Sequence, residues 1–189
     1  METTSHFIGI KLKSEYFVSL YTRLQNLLWE KRDILEFQNI LSIHITLYYL
    51  PSSLSSDYLY QIQKLKNTFW RKKVTLAGYS YFGDSSLWKL CYLKPDTSNK
   101  YLSDYNHELK TIFQEFNTII DNTYSFIPHI TLFKIRDWSV YEDISREVEG
   151  ILNSYLREIE NVDIYESFEL FQVNSRFAPE IQITVPLNH

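Results

Sequence analysis

The tetrapeptide His-Ile-Thr-Leu stands twice in this chain, at residues 44–47 and 129–132, 85 positions apart. Each copy lies in a run of β-branched and aromatic residues, 43–50 and 129–135, of the kind that forms strands, where successive side chains point to opposite faces. His44 and Thr46 therefore share one face while Ile43, Ile45 and Leu47 take the other; His129 and Thr131 pair in the same way, with Ile130 and Leu132 turned into a core. Each run follows a segment of helical periodicity, Phe17, Leu20, Tyr21, Leu24, Leu27 and Leu28 ahead of the first and Leu102, Tyr105, Leu109, Ile112, Phe113 and Phe116 ahead of the second. A helix-then-strand unit repeated with the same polar pair predicts two related lobes whose polar pairs converge on one cleft.

The rest of the chain is mixed in the same manner. His6 to Leu12 alternates as a strand, and Gly9 inside it implies a close backbone neighbour. Leu59, Ile62, Leu65 and Phe69 mark a helix, and Val74 to Phe82 and Leu87 to Leu93 mark two strands with Gly83-Asp84 as a hairpin turn. Tyr141 to Tyr155 reads as one further helix, Ser167 to Val173 and Ile181 to Val185 as the last strands. The turn-rich loop from Lys94 to Asn99 marks an expected lobe boundary. A chain of 189 residues, 44% hydrophobic and 22% charged, can bury a substantial core, and alternating elements predict α+β or α/β layers with helices over the sheets.

Composition narrows the function. The one cysteine, Cys91, cannot close an internal disulfide or form a paired-cysteine zinc motif, and reads as a small buried hydrophobe in a reducing compartment. A net charge of −4 argues against wrapping long duplex nucleic acid, whose binding depends on neutralising phosphates with Lys and Arg; a short nucleotide in a pocket is still allowed. The N-terminus lacks a basic-then-apolar leader and no run nears the roughly 18 apolar residues that span a bilayer. A cytoplasmic monomer without a membrane partner is therefore expected.

Two imidazoles and two hydroxyls facing one cleft suit phosphodiester cleavage. A neutral imidazole takes a proton from the attacking oxygen, an imidazolium protonates the leaving oxygen, and a pKa near 6.5 leaves both forms accessible. The threonine hydroxyls can donate to the non-bridging oxygens as charge moves onto them. Taken singly, a strand His-x-Thr is more often a satisfied sheet pair; it is the matched context of the two copies that favours the chemical reading.

With these motifs the chain resembles the two-histidine (2H) phosphoesterases, which include RNA 2',3'-cyclic phosphodiesterases related to 2'-5' RNA ligases. The resemblance rests on His44-Ile45-Thr46-Leu47 and His129-Ile130-Thr131-Leu132, and extends to Phe7–Leu12, Leu47–Leu50, Gly78–Gly83 with Trp88-Lys89-Leu90, and Ser125–Pro128. It implies an α+β, bilobal fold over residues 1–189, with two antiparallel-rich sheets, outer helices, a pseudo-twofold axis and a central cleft. It also implies His44 and His129 as acid and base, Thr46 and Thr131 on the phosphate, and no metal or other cofactor. Lys134 stands where many relatives carry arginine, which would replace a bidentate contact by a point charge, and Ile43 stands where relatives carry proline. The substrate implied is an RNA end, a short oligonucleotide or a cyclic nucleotide, cut at a 2',3'-cyclic phosphate or a 2'-5' bond.

Around this set, Arg176 is a further phosphate candidate, and Tyr48, Tyr81, Phe133 and Phe177 are candidates to stack bases. Gly78 and Gly83 have phosphate-loop spacing, but Asp84 replaces the required lysine, and Thr111 replaces the second histidine of a zinc-protease helix at His107-Glu108. The competing readings are a non-catalytic protein that holds a nucleotide or RNA end in the same cleft, and an interaction module with exposed aromatics.

Overall fold

The structure, a computed structural model, describes residues 6–51, 54–83, 88–98, 100–113, 125–173, 179–185 and 187, with the backbone only at 31 and 32. The strand pattern at the N-terminus forms β1 (His6–Leu12), followed by a 3-10 turn, helix α1 (Val18–Leu27) and a second 3-10 stretch leading into a three-residue strand, β2 (Leu35–Phe37). The first motif lies on β3 (His44–Leu50), with α2 (Ser56–Lys64), β4 (Leu76–Phe82), β5 (Lys89–Pro95) and α3 (Tyr101–Phe113) after it. The second motif lies at the start of β6 (Ile130–Ile135), before α4 (Trp138–Glu142), α5 (Ser145–Glu158), β7 (Tyr165–Gln172) and β8 (Glu180–Val185). Asp137 separates α4 from the preceding strand by accepting from the Ser139 and Val140 amides, an N-cap.

These strands build two four-stranded antiparallel sheets, ordered β3-β1-β7-β8 and β2-β6-β5-β4. The fold is α+β. The expected lobe boundary at Lys94–Asn99 is corrected by this order: β5, before the loop, and β6, after it, are adjacent in one sheet, while α3 between them packs on the other. The first sheet likewise joins β1 and β3 to the late strands β7 and β8. Strand β2 lay below sequence detection, since three residues carry no readable alternation.

The apolar faces are covered by helices. Ile43, Ile45 and Leu47 of the first motif and Ile130 and Leu132 of the second are buried in one continuous core, each such side chain contributing about 1.5–3 kcal/mol of hydrophobic stabilisation. Helix α3 covers the first sheet through Tyr105 against Phe168 and Phe113 against Tyr48. The second sheet is covered by α1 and α4, with Tyr21 against Phe37 and Tyr141 against Phe133. Among the described residues no helix is long and apolar enough to cross a membrane.

Each motif strand carries a β-bulge at the same place. Gly9 and Ile8 of β1 oppose Thr46 and Tyr48, leaving Leu47 without a partner; Tyr92 and Cys91 of β5 oppose Thr131 and Phe133, leaving Leu132 without one. An extra residue shifts the side-chain phase by one. The bulge carbonyls are satisfied from different sources: Leu47 accepts from Asn106 Nδ2 of α3 at 2.7 Å, Leu132 from the Gln38 amide at 2.8 Å and from the Tyr21 hydroxyl at 3.4 Å. Replacing Asn106 by Ala strands the buried Leu47 carbonyl, and is expected to lower unfolding free energy in urea titration by about 1–3 kcal/mol.

Candidate active site

His44 opens β3 at an edge of its sheet and lies opposite Lys11 of β1; Thr46, two residues on, lies opposite Gly9. Across β1 the register continues to Ser167 and Glu169 of β7. In the other sheet Thr131 lies opposite Tyr92 of β5, and Tyr92 opposite Ser80 of β4. The two motif strands approach each other where the sheets meet, and the charge of His129 acts on His44.

The imidazoles are held alike. Nδ1 of His44 donates to the carbonyl of Ser42 at 2.7 Å, and Nδ1 of His129 donates to the carbonyl of Ile127 at 2.8 Å, in each case two residues upstream. A carbonyl only accepts, so the hydrogen of each neutral ring sits on Nδ1, and Nε2 presents a lone pair. Aromatic rings flank both: Phe7 and Phe171 lie 4.6 and 5.1 Å from His44, Phe82 and Tyr92 5.0 and 5.6 Å from His129. Burial pushes the His44 imidazole down to about 4, against a smaller opposing effect of the Ser42 carbonyl and with an added push from His129. Burial also lowers His129, opposed by its bond to Ile127. Both rings are therefore biased toward neutrality.

By sequence, the chain matches the family model of the AKAP7 2'5' RNA ligase-like domain over residues 4–187. The chain belongs to this family. It is thereby a member of the 2H phosphoesterase superfamily. Similar solved structures include TT0787 of Thermus thermophilus (TM-score 0.66, 16% identity, covering 98% of this chain and 100% of that one). LigT of E. coli complexed with 3'-AMP aligns with TM-score 0.58 at 16% identity, over 96% and 98% of the two chains. Usb1 of Kluyveromyces marxianus aligns with TM-score 0.53 at 11% identity, over 97% of each. No curated protein matches by sequence.

Within this 2'5' RNA ligase-like domain, the structure places the four motif side chains on the expected faces, and Lys134 on the face of Thr131, its Nζ 5.3 Å from the centre of the Trp88 ring. Three aromatic expectations are corrected. Tyr48 and Phe133, 3% and 0% exposed, pack in the core because the bulges reverse the alternation immediately before them. Tyr81 pairs with buried Cys91 and turns toward the helices, its hydroxyl 3.1 Å from that of Tyr141. Arg176 and Phe177 lie outside the described residues. The residues that sequence reasoning missed are Phe7, Phe171, Phe82 and Tyr92; Tyr49, 49% exposed, takes the site face in place of Tyr48. Only a known register could have revealed them.

Among the described residues no cluster of three or more His, Cys, Asp or Glu side chains is arranged to hold a metal ion. Gly9 explains how Phe7 and Phe171 reach His44: a Cβ there would lie 2.6 Å from the Ile45 carbonyl oxygen, 3.3 Å from the Phe7 ring and 3.4 Å from the Phe171 ring. Backbone cannot yield as a flexible side chain would, so Gly9→Ala is expected to cost about 1–3 kcal/mol of stability, measured as a lowered thermal midpoint, and to displace the rings around His44.

Proposed function

We propose that this domain is a phosphodiesterase that cleaves a 2',3'-cyclic phosphate or a 2'-5' phosphodiester of RNA or a small oligonucleotide, with His44 and His129 as acid and base. The observation that carries this reading is the matched tautomer lock: two motif histidines, each with Nδ1 tied to a carbonyl and Nε2 available, on strands that meet. One Nε2 accepts the proton of the attacking hydroxyl or water; the other ring, protonated, donates to the leaving oxygen, so the pair returns to its starting charge with the roles exchanged. Thr46 and Thr131 supply hydroxyl donors for the non-bridging oxygens. Membership of a 2'5' RNA ligase-like family and the likeness to LigT, solved with 3'-AMP, support a nucleotide substrate. The pair meets the needs of the reaction without a metal.

The test is an assay in EDTA with oligonucleotides ending in 2',3'-cyclic phosphate and with 2'-5' oligoadenylate. Turnover supports the proposal; tight, persistent binding without product would mark a nucleotide-holding protein instead. His44→Ala and His129→Ala are each expected to reduce kcat/KM by about 10²–10⁴ while far-ultraviolet dichroism stays unchanged.

The pH dependence follows from the two lowered imidazoles. The reaction needs one neutral and one protonated ring. With His44 near 4 and His129 below its ordinary value, that state peaks between the two values, so the bell-shaped profile of kcat/KM should have its maximum below pH 6.5. Stability moves in the opposite sense: neutral native rings and an unfolded pKa near 6.5 mean that the unfolded chain takes up more protons on acidification. Native stability is then lost as pH falls from about 6.5 toward 4, read as a falling thermal midpoint.

A further inference from the structure

The matched bulges allow the two lobes to be compared position by position, and one cation has no counterpart in its electrostatic setting. On the site face of the first sheet, His44 is opposed by Lys11 and then Ser167. In the second, Leu93 opposes Ile130, so the next residue, Lys94, stands level with His129, and Lys94 is opposed in turn by Gly78. Lys94 shares the site face with Tyr92, because buried Leu93 between them points into the core. Lys11 and Lys94 are therefore equivalent in the two lobes.

Their surroundings differ. Lys11 Nζ is bound by Glu166 at 2.6 Å, and Glu169 lies one row away on the same face, buried and short of a partner for Oε2. Lys94 is exposed and makes no ion pair among the described residues. Strands β4, β5 and β6 carry no Asp or Glu at all. The Lys94 stem lies across Gly78, its Cε 3.2 Å and its Nζ 3.8 Å from the position a Cβ would take, so the glycine forms the bed for the lysine, and the ammonium is carried from β5 toward β4. With strands about 4.8 Å apart, that places it roughly two strand spacings from the strand of His129. This is too far to share the phosphate at the histidines and suited to the next one.

We propose that Lys94 binds a second phosphate of the substrate, adjacent to the scissile one, so that this site favours nucleotides carrying a further phosphate and seats that phosphate on the lobe of His129. The proposal rests on the reading of the site as a nucleotide phosphodiesterase and deepens it. The first lobe, with Glu166 and Glu169 beside Lys11 and with Phe7, Tyr49 and Phe171 on its face, is left to the nucleoside end. A lysine suits this role because its compact charge attracts phosphate without demanding one fixed geometry.

The experiment measures binding of 3'-AMP and of adenosine 3',5'-bisphosphate by calorimetry, for the wild type, Lys94→Ala and Lys94→Arg. The wild type is expected to bind the bisphosphate about five- to ten-fold more tightly at low salt, an advantage that shrinks as salt screens the exposed contact. Lys94→Ala should bring the ratio close to one and Lys94→Arg should retain it. An unchanged ratio in Lys94→Ala, or no bisphosphate advantage in the wild type, overturns the role of Lys94. Failure of the wild type to bind either compound overturns the nucleotide-site reading on which it depends.

Discussion

A single extra residue after each motif threonine determines which side chains the site receives. Up to Thr46 and Thr131 the strands alternate regularly, placing the histidine and threonine on one face and Ile45 or Ile130 on the other. At Leu47 and Leu132 the alternation slips, and the residues that simple periodicity would bring to the site enter the core. The site then takes Tyr49 in one lobe and Lys134 in the other. Since a bulge leaves its backbone groups outside the ladder, each slip depends on a partner elsewhere: Asn106 of α3 for Leu47, and the Gln38 amide and Tyr21 hydroxyl for Leu132. Helix packing and the motif face are thereby coupled.

The lobes reach similar histidine environments by different residues. In the first lobe the position opposite the motif threonine is Gly9, and the space it leaves admits the rings of Phe7 and Phe171 beside His44. In the second lobe the equivalent position, opposite Thr131, is Tyr92, which itself stacks with Phe82 at 4.1 Å and borders the His129 imidazole. Burial and the carbonyl bond to Nδ1 recur in both halves although the side chains do not. Charge is not shared in this way: carboxylates gather beside Lys11, while the strands beneath Lys94 carry none. The two motif pairs are thus held symmetrically within asymmetrical surroundings.

Membership of the AKAP7 2'5' RNA ligase-like family, and the common architecture with TT0787, LigT and Usb1 at 11–16% identity, fit this picture. At such divergence the likeness is one of fold.

Much of the molecule was legible in the sequence because it depends on local periodicity. The motif faces, the buried Ile43, Ile45, Leu47, Ile130 and Leu132, the hairpin partners around Gly83 and the close approach at Gly9 all follow from alternation or from the absence of a Cβ. The short strand β2, the pairing of β1 with the distant β7, and the displacement of Tyr48, Tyr81 and Phe133 from the site did not. Sequence alone determined that two His-Thr pairs would each share a strand face, since the strand repeat of two residues is a property of the backbone. Tertiary structure alone decided which rings and charges surround them, because that depends on the register between strands far apart in the chain, and a one-residue slip exchanges the buried and exposed sides.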